Sequence, residues 1–392
     1  KEHCSGCTAC MACCPKEAIS MCADEEGFKY PVIDRNRCVE CGKCVRTCPI
    51  TNKQKKNSVV ASYIAINNNR DQREASASGG LFSVIAHYVL EKNGVVFGAA
   101  YDEKLRVKHT AIEHEADLRK LRMSKYVQSD LGDTFKQVDK YLKADRIVLF
   151  SGTPCQVAGL RAYINREDAN LILLDLVCHG VPSPKLFEDY KAALSEKYES
   201  DIQNIYFRRK VLGHHLSTIA VRFSNGKLIH SRRLVKSYPR LWFAGFASRP
   251  SCYACSFKEE DRVSDFTLFD SFKSAGQYGF KDDDMGLSNV YIRTQKAIDL
   301  WKQIMAQVTA VKTETAVTNK NDGDMIYESA VKNKARAEFW SDYGKLSYTE
   351  LLDKYIPYSK KEAIMDIVKR VMVSTSLSKN LKIKKLLTKI KK

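Results

Sequence analysis

The sequence of 392 residues lacks several features that would assign it to a common class of protein. No uninterrupted apolar stretch approaches the ~20 residues that a bilayer-spanning helix needs. Neither the G-x-G-x-x-G fingerprint of a dinucleotide-binding domain nor the P-loop of an NTPase is present. No signal peptide is recognisable, although the chain starts at Lys1 rather than at methionine. These absences argue against a membrane-spanning protein and a standard nucleotide-binding fold.

Acidic residues are also scarce, with 46 Asp and Glu against 64 Lys and Arg, which gives a net charge of +18. Half of this excess lies in residues 359–392, where apolar residues recur at helical spacing. They are Ile364, Ile367, Val368 and Val371, and then Leu381, Ile383, Leu386, Leu387 and Ile390. We expect residues 356–392 to form a basic amphipathic tail. It either binds an anionic membrane surface or an acidic partner, or is a solvated helix with one packed face.

Cysteine, by contrast, is abundant, and eight of the fourteen cysteines form two runs with the spacing C-x2-C-x2-C-x3-C, each followed by proline. The runs are Cys4, Cys7, Cys10 and Cys14, and then Cys38, Cys41, Cys44 and Cys48. This repeat has the spacing of bacterial two-cluster ferredoxins, in which the fourth cysteine of each run ligates the other cluster. The spacing predicts cluster I, a 4Fe-4S cluster on Cys4, Cys7, Cys10 and Cys48. It also predicts cluster II, a 4Fe-4S cluster on Cys38, Cys41, Cys44 and Cys14.

Two other uses of these cysteines fit the pattern less well. Four-cysteine zinc sites usually pair two C-x2-C knuckles, without three successive ligands and a trailing C-P. A disulfide framework needs an oxidising compartment, to which nothing in the sequence points, so we expect reduced thiols and a cytoplasmic protein. Cys13 and Cys22 fall outside the spacing rule, and we expect both to be small buried apolar residues.

The pattern of elements predicts three regions: a two-cluster ferredoxin domain over residues 1–52, a large domain over 58–355, and the tail over 356–392. In the large domain, strands alternate with helices, which is typical of a largely parallel sheet covered on both faces. After residue 201 the predicted strands are joined by short turns, so this part should be antiparallel. The expected fold class is therefore mixed, α+β and α/β, with a basic helical C-terminal tail.

Four further cysteines in the large domain have unusual surroundings. Cys155 lies in the first turn of a helix that follows a strand, where backbone N–H groups favour a thiolate. Cys178 ends a strand, at the sheet edge where open α/β sheets bind ligands. Cys252 and Cys255 form a single C-x2-C knuckle. Together they could hold a third cluster, although a zinc site or buried structural thiols remain open from the pattern alone.

Several long motifs in order give a specific resemblance. These are "ASGGLFS", "SKYVQSDLGDTF", "LFSGTPCQVAGLRAYI", "LVCHGVPSP", "YFRRK" and "RPSCYACSFKEEDRVSDFTL". Over the chain up to about residue 350, they resemble the coenzyme F420 hydrogenase/dehydrogenase β subunit family. The resemblance implies a flavoprotein-like large domain that binds FAD and iron–sulfur. It implies that Cys155, Cys178, Cys252 and Cys255 ligate a third 4Fe-4S cluster, and that Ser78, Gly79, Gly80, Thr153 and Gln156 line the flavin pocket.

The resemblance also suggests two catalytic candidates. His179 adjoins Cys178 and could donate a proton near a flavin, or could be a hydrogen-bonded structural residue. Asp270 keeps the acidic position of a family motif that this chain otherwise changes. In that motif, Phe269 stands in place of glycine, and Phe272 and Lys273 replace an aromatic–glycine pair. A bulky residue at a strand end fills space that glycine leaves for a ligand, so coenzyme F420 itself is not inferred.

We therefore expect an iron–sulfur, flavin-dependent oxidoreductase that passes electrons between its clusters and a two-electron carrier or substrate. The alternative is a non-catalytic electron-transfer subunit or iron–sulfur scaffold that serves a partner enzyme. Either role requires a redox partner protein or a soluble electron carrier. The tail adds an anionic membrane surface as a partner, which would place the protein at the inner face of the membrane. Nucleic acid is the least favoured partner, because the basic residues are not interleaved with aromatic residues in a binding motif.

Overall fold

A computed structural model of the chain describes residues 1–375, which form thirteen strands and sixteen α-helices. The strands are β1 (Ile19–Ala23), β2 (Lys29–Ile33), β3 (Ala61–Asn67), β4 (Val95–Tyr101), β5 (Val107–Ile112), β6 (Val148–Gly152), β7 (Leu171–Leu176), β8 (Ile202–Arg209), β9 (Thr218–Phe223), β10 (Leu228–His230), β11 (Phe266–Asp270), β12 (Ser288–Ile292) and β13 (Val308–Thr313).

The helices are α1 (Ala9–Ala12), α2 (Lys43–Arg46), α3 (Arg70–Glu74), α4 (Leu81–Glu91), α5 (Leu118–Leu121), α6 (Thr134–Lys143), α7 (Pro154–Ile164), α8 (Pro184–Tyr198), α9 (Arg233–Phe243), α10 (Ser274–Gln277), α11 (Gln295–Ile304), α12 (Thr315–Asp322), α13 (Asp324–Tyr327), α14 (Arg336–Asp342), α15 (Tyr348–Tyr355) and α16 (Lys360–Ser374).

The ferredoxin region is built from an antiparallel hairpin and two short helices. In the hairpin β1–β2, Ile19 lies opposite Ile33. The helices α1 and α2 each begin inside a cysteine run. The residue before α2 is Gly42, whose φ of 68° is left-handed and therefore suits glycine. The cysteine runs thus form tight loops on either side of a small hairpin.

The central sheet of the large domain has eight strands in the order β13-β3-β12-β11-β7-β6-β4-β5. Only its middle is parallel, through the pairs β4–β6, β6–β7 and β7–β11. The other four pairs are antiparallel. The expectation of a largely parallel sheet is therefore wrong. The strand β3 comes from a distant part of the chain, and together with β12 and β13 it extends the parallel centre in antiparallel order.

Helices cover both faces of this sheet, as the sequence pattern predicts. One face packs against α4 and α11, through residues such as Val84 and Trp301. The opposite face packs against α6 and α7, through residues such as Phe135 and Leu160. The ferredoxin helix α1 joins this second core through Ala9 and Ala12. The ferredoxin region is therefore packed onto the sheet domain at α7.

A third core lies under the antiparallel sheet that follows residue 201. Its strands have the order β10-β9-β8, and its antiparallel pairing confirms the change of pattern predicted there. Side chains from α8, α9, α14 and α15 fill this core, among them Tyr190, Tyr238, Phe339 and Leu352.

Helix α16 covers a small separate cluster at the end of the described chain. Met372 is buried, and with Met365 and Val368 it packs against Leu212 and Leu216. The predicted apolar positions beyond residue 375, namely Leu381, Ile383, Leu386, Leu387 and Ile390, lie outside the described residues. Within residues 1–375, no helix combines the length and apolar character needed to cross a membrane.

Candidate iron–sulfur sites and adjacent charged groups

The four thiols assigned to cluster I lie beside one another, although Cys48 comes from the second run. Burial, together with the neighbouring thiols of Cys4 and Cys48, raises the pKa of the Cys10 thiol to about 12. Burial likewise raises the pKa of Cys7, whose neighbours include Cys10 and Cys48. The crossed assignment requires this neighbourhood of Cys48.

The second set of ferredoxin thiols is more open to solvent. Cys41 is exposed, and Cys38 and Cys44 are partly exposed. Burial raises the pKa of Cys13, and the neighbouring thiol of Cys44 from the second run contributes in the same direction. The crossed assignment requires that Cys14 also lies near Cys44.

The two cysteines outside the spacing rule differ from each other. Cys13 is buried, and its Sγ donates a hydrogen bond to the carbonyl oxygen of Cys10 at 3.4 Å, as expected for a structural thiol. Cys22 is exposed on β1, so the expectation that it is buried is wrong. Cys22 lies on a hairpin of which one face is solvated, and alternation along a strand places such a residue outward. None of the fourteen cysteines, all within residues 1–375, forms a disulfide.

Cys155 lies in the first turn of helix α7, whose start is fixed by a capping box and a proline. The Thr153 side chain and the Gln156 side chain form a capping box, and Pro154 occupies the first helical position. The Thr153 Oγ1 lies 3.2 Å from the Cys155 Sγ. The cap thus fixes the direction of α7 and supplies a hydroxyl beside the thiol.

The other three cysteines of the large domain come from two loops. Cys178 follows β7, and its Sγ accepts a hydrogen bond from the backbone N–H of Gly180 at 3.3 Å. Cys252 lies in a short 3₁₀ helix, Pro250–Ala254, and Cys255 directly follows that helix. A side-chain atom on Gly180 would come within 3.3 Å of the Cys252 Cβ, so the two loops are in close contact.

These four thiols line a single, partly open pocket. The ferredoxin region contributes His3, Ser5 and Ile50 to the same pocket, and Lys258 and Arg262 lie in its wall. Burial, together with the neighbouring thiols of Cys178 and Cys255, raises the pKa of Cys155 to about 12. Burial and the thiol of Cys178 raise the pKa of Cys252 in the same way. Buried thiols that oppose one another's ionisation form a site that a cation would stabilise.

Among the His, Cys, Asp and Glu side chains of residues 1–375, no group of three or more closes around one ion. A mononuclear zinc site brings four sulfurs to about 2.3 Å from one atom, whereas a cubane spreads them around a core of several atoms.

The cluster I thiols and the large-domain thiols are neighbours across α7. The thiol of Cys155 is among the groups that raise the pKa of Cys7, after burial. A side-chain atom on Gly159 would lie 2.8 Å from the Cys7 Cβ and 2.9 Å from its Sγ, so glycine is required for this approach. One helix, α7, thus carries Cys155 and supports Cys7.

The predicted flavin residues Ser78, Gly79 and Gly80 are engaged with the protein itself. The Ser78 hydroxyl donates to the carbonyl oxygen of Leu287 at 2.7 Å, and the Gly79 N–H donates to the Ser288 Oγ at 3.0 Å. A side-chain atom on Gly79 would lie 2.7 Å from the Ala65 carbonyl oxygen, so this turn is packed against β3.

Thr153 and Gln156, the other predicted flavin residues, belong to a hydrogen-bonded chain on the opposite side of the sheet centre. The Gln156 Nε2 donates to the Ser129 Oγ at 2.9 Å, and that hydroxyl lies 2.9 Å from the His109 Nδ1. Burial lowers the pKa of His109 to about 4, so its ring is neutral. The chain ends at Thr153, next to the Cys155 thiol.

The catalytic candidates His179 and Asp270 lie within electrostatic reach of each other. Loss of solvent around the ring lowers the pKa of His179, Lys258 lowers it further, and Asp270 opposes both. Burial raises the pKa of Asp270, but the Arg208 guanidinium outweighs it and holds the pKa well below its usual range. The Arg208 Nη1 donates to the Asp270 Oδ2 at 2.6 Å.

Sequence reasoning missed two members of this group. Arg208 belongs to the motif "YFRRK" but carried no predicted role, and His214 sits in a loop whose pattern shows no signal. The His214 ring is buried, and its Nε2 lies 3.0 Å from the Arg208 Nη2 and 3.4 Å from the Asp270 Oδ1. Only the fold brings these residues together, because 56 residues separate His214 from Asp270.

The residues that depart from the family motif surround this group. The Phe269 ring is buried and meets the Tyr291 ring edge-on at 5.0 Å, in a small core with Val177. The Phe272 ring stacks on His214 at 4.9 Å and stays 44% exposed. Phe269 therefore fills the strand end with protein, while Phe272 covers the buried histidine.

Comparisons with known proteins agree with the arrangement of the chain. Residues 145–333 match the family model for the C-terminal part of the coenzyme F420 hydrogenase/dehydrogenase beta subunit. Residues 3–52 match a 4Fe-4S dicluster domain, and residues 30–77 match a second model of such a domain. The predicted resemblance and the predicted N-terminal two-cluster domain are both confirmed.

One similar solved structure is described as the xenon-derivatised F420-reducing NiFe hydrogenase complex from Methanosarcina barkeri. The match has 16% sequence identity and a TM-score of 0.47, and it covers 69% of this chain and 89% of that chain. This likeness is too distant to locate a site or to assign an activity. No curated protein matches the chain.

Proposed function

We propose that this chain, which joins a 4Fe-4S dicluster domain to the C-terminal domain of the coenzyme F420 hydrogenase/dehydrogenase β subunit, is an oxidoreductase component with a path of three clusters. Electrons move between cluster II at the surface, cluster I, and a third 4Fe-4S cluster in the large domain. The observation that carries this proposal is the shared pocket of Cys155, Cys178, Cys252 and Cys255 beside the ferredoxin region.

The order of the path follows from exposure and neighbourhood. Cluster II has the exposed ligand Cys41, flanked by Val39 and Val45, which are 57% and 59% exposed. Cluster I has the buried ligand Cys7, which adjoins Cys155. Electron transfer between centres needs short distances, so cluster II is the end that a partner can reach and cluster I is the bridge.

The outer end of this path suits a redox partner protein. Residues 34–56 carry seven Lys and Arg and two acidic residues around the cluster II loop. Among the described residues, Arg35, Lys43, Lys53 and Lys55 form no ion pair and so leave their charge to solvent. An acidic electron carrier would be attracted to this surface.

At the inner end, the family resemblance implies FAD. The residues predicted to line the flavin pocket fit FAD only in part. The polar groups of Ser78, Gly79, Thr153 and Gln156 already form hydrogen bonds within the protein, so they would bind a flavin only after rearrangement. A bound flavin would exchange single electrons with a cluster and transfer electron pairs to a carrier or substrate.

The charged group around Asp270 is the part of the chain that could serve that chemistry. Asp270 holds the Arg208 guanidinium in place through a 2.6 Å hydrogen bond. Arg208 in turn fixes His214, whose ring is buried under Phe272. His179 follows Cys178 in sequence and is within electrostatic reach of Asp270, which supports a role in moving a proton at the inner end of the path. We propose His179 and Asp270 as the catalytic pair on these grounds.

A reductive titration of the anaerobically purified chain tests the proposal. Three clusters and a flavin should take up about five electrons per chain, three in single steps and two by the flavin. An uptake of about three electrons, with no flavin released on denaturation, would instead support a subunit without its own substrate. The satisfied flavin candidates and the filled space at Phe269 favour that second role. An uptake of only about two electrons would contradict the three-cluster path.

The basic tail is proposed to attract the protein to an anionic membrane surface. Helix α16 leaves Ile364, Ile367 and Val371 62%, 51% and 49% exposed, and residues 376–392 add seven lysines without an acidic residue. A cut after Thr375 should weaken binding to anionic vesicles, and the loss should be largest at low salt, while the iron content stays the same.

Cosedimentation of the two chains with anionic and with neutral vesicles measures this effect. A cut after Pro357 should weaken binding as well, but it also uncovers Leu212 and Leu216, so the cut after Thr375 is the sharper test. Equal binding of full-length and truncated chains to anionic vesicles would rule out the membrane role.

A further inference from the structure

Arg249 is a fully buried guanidinium at the junction of the ferredoxin region and the large domain, with 0% of its side chain exposed. Its Nε donates to the Cys4 carbonyl oxygen at 2.7 Å, and its Nη1 donates to the Gln128 Oε1 at 2.9 Å. Its Nη2 donates to the Lys29 carbonyl oxygen at 3.0 Å and lies 3.8 Å from the Cys4 Sγ. Neutral acceptors thus satisfy the hydrogen bonds of this cation.

Aromatic and backbone groups enclose the rest of the guanidinium. Its central carbon lies 4.2 Å from the centre of the Tyr30 ring and 5.5 Å from that of Phe28. A side-chain atom on Gly6 would come within 2.8 Å of its Nη1, so the ligand loop of cluster I rests directly on Arg249. Aromatic faces attract a cation but do not neutralise its charge.

No carboxylate balances this charge. In the described part of the chain, no Asp or Glu oxygen lies within 4.0 Å of the Arg249 nitrogens. Two acidic residues of the adjacent hairpin pair elsewhere, Asp24 with Lys1 and Glu26 with Arg336, and Glu25 between them is exposed. An isolated buried charge costs several kcal/mol even after relaxation, so a counter-anion is expected in contact with the guanidinium.

The anions available at this place are the cysteine ligands on either side. Cys4 of cluster I lies at 3.8 Å. The backbone carbonyl oxygen of Arg249 also accepts a hydrogen bond from the Cys252 N–H at 2.9 Å, so Arg249 adjoins the large-domain site as well. A 4Fe-4S cluster bound by four thiolates carries a net negative charge, which would neutralise the guanidinium.

We propose that Arg249 is the shared counter-cation of cluster I and of the cluster at Cys155, and that it raises the reduction potentials of both. An added electron makes a cluster more negative, so a fixed cation beside it stabilises the reduced state more than the oxidised state. Cluster II, whose ligands Cys38 and Cys41 do not contact Arg249, keeps its own potential. The part that concerns Cys155 rests on the proposed function, and the part that concerns Cys4 does not.

The test is a redox titration of Arg249→Gln and Arg249→Lys, followed by electron paramagnetic resonance. In Arg249→Gln, the two clusters beside the residue should become at least tenfold harder to reduce, a shift of about 59 mV to lower potential for a one-electron couple. Arg249→Lys keeps the positive charge but loses the planar array of guanidinium donors, so its shift in reduction potential should be smaller. The signal of cluster II should not move.

Arg336→Gln is the matched control. Arg336 is also a buried arginine at this junction, but it pairs with Glu26 and does not contact a cysteine. It should move no potential. The proposal is overturned if Arg249→Gln with full iron shifts neither cluster, if cluster II shifts equally, or if Arg336→Gln gives the same shift.

If Arg249→Gln does not assemble all of its clusters, its iron content tests the proposal instead. The iron lost must then belong to cluster I or the cluster at Cys155, and Arg249→Lys must retain it. Loss of cluster II first, or equal loss in Arg336→Gln, would overturn the proposal. A wild-type chain with only two clusters would remove the third cluster from the proposed function, and the shift of cluster I would still decide the role of Arg249.

Discussion

Replacing Cys252 with alanine should remove about four iron atoms from the chain and leave about eight. Cys252 lies in the pocket with Cys155, Cys178 and Cys255, and it belongs to neither ferredoxin run. A cluster that loses one of four thiolates in this pocket has no other cysteine within the lining to replace it. Iron and sulfide analysis of the anaerobically purified variant measures the loss.

Cys22→Ala is the control for this variant, because Cys22 is exposed and lies outside every proposed ligand set. It should keep all of the iron. A Cys252→Ala chain with the full iron content would show that the four thiols of the large domain are structural. It would also remove the inner end of the proposed path, while the two ferredoxin clusters would stand.

Replacing Cys48 with alanine should destroy cluster I, although Cys48 belongs to the second run. The Cys48 thiol lies beside Cys7 and Cys10, and the crossed arrangement assigns it there. Because cluster I connects cluster II with the large domain, electrons supplied at the surface should no longer reach the inner cluster. Cluster II should still be reduced.

Cys14→Ala is the mirror-image variant and should remove cluster II instead. Spectra of the two variants by electron paramagnetic resonance distinguish the clusters, and stopped-flow reduction by an acidic electron carrier measures the break in the path. If Cys48→Ala lost the signal of the cluster on Cys38, Cys41 and Cys44, the crossed assignment would be wrong.

The local parts of this fold could be predicted from the sequence. The ferredoxin runs and the cap of α7 depend on residues a few positions apart, so spacing alone reveals them. Thr153 caps α7 and Pro154 occupies its first position, as their order in the sequence indicates. The two-residue gaps that place three ligands around one cluster are equally local. These features need no knowledge of tertiary structure.

The sheet topology and the charged groups could not be predicted in the same way. The strand β3 lies far in sequence from β12 and β13, and only packing decides that the three add to the sheet in antiparallel order. His214 reaches Asp270 from a loop that carries no periodic pattern. Arg249 precedes the Cys252 knuckle, but its burial against Cys4 depends on how two regions dock. These contacts join segments that lie far apart in sequence, and no local sequence pattern indicates that they meet.

The number of iron atoms per chain tests the central claim most directly. The chain should be purified without oxygen, reconstituted with iron and sulfide, and freed of unbound metal before iron, sulfide and protein are measured on the same sample. The three-cluster path predicts about twelve iron and twelve sulfide per chain. A value of about eight, with no further loss on replacing Cys155 or Cys252, would contradict it.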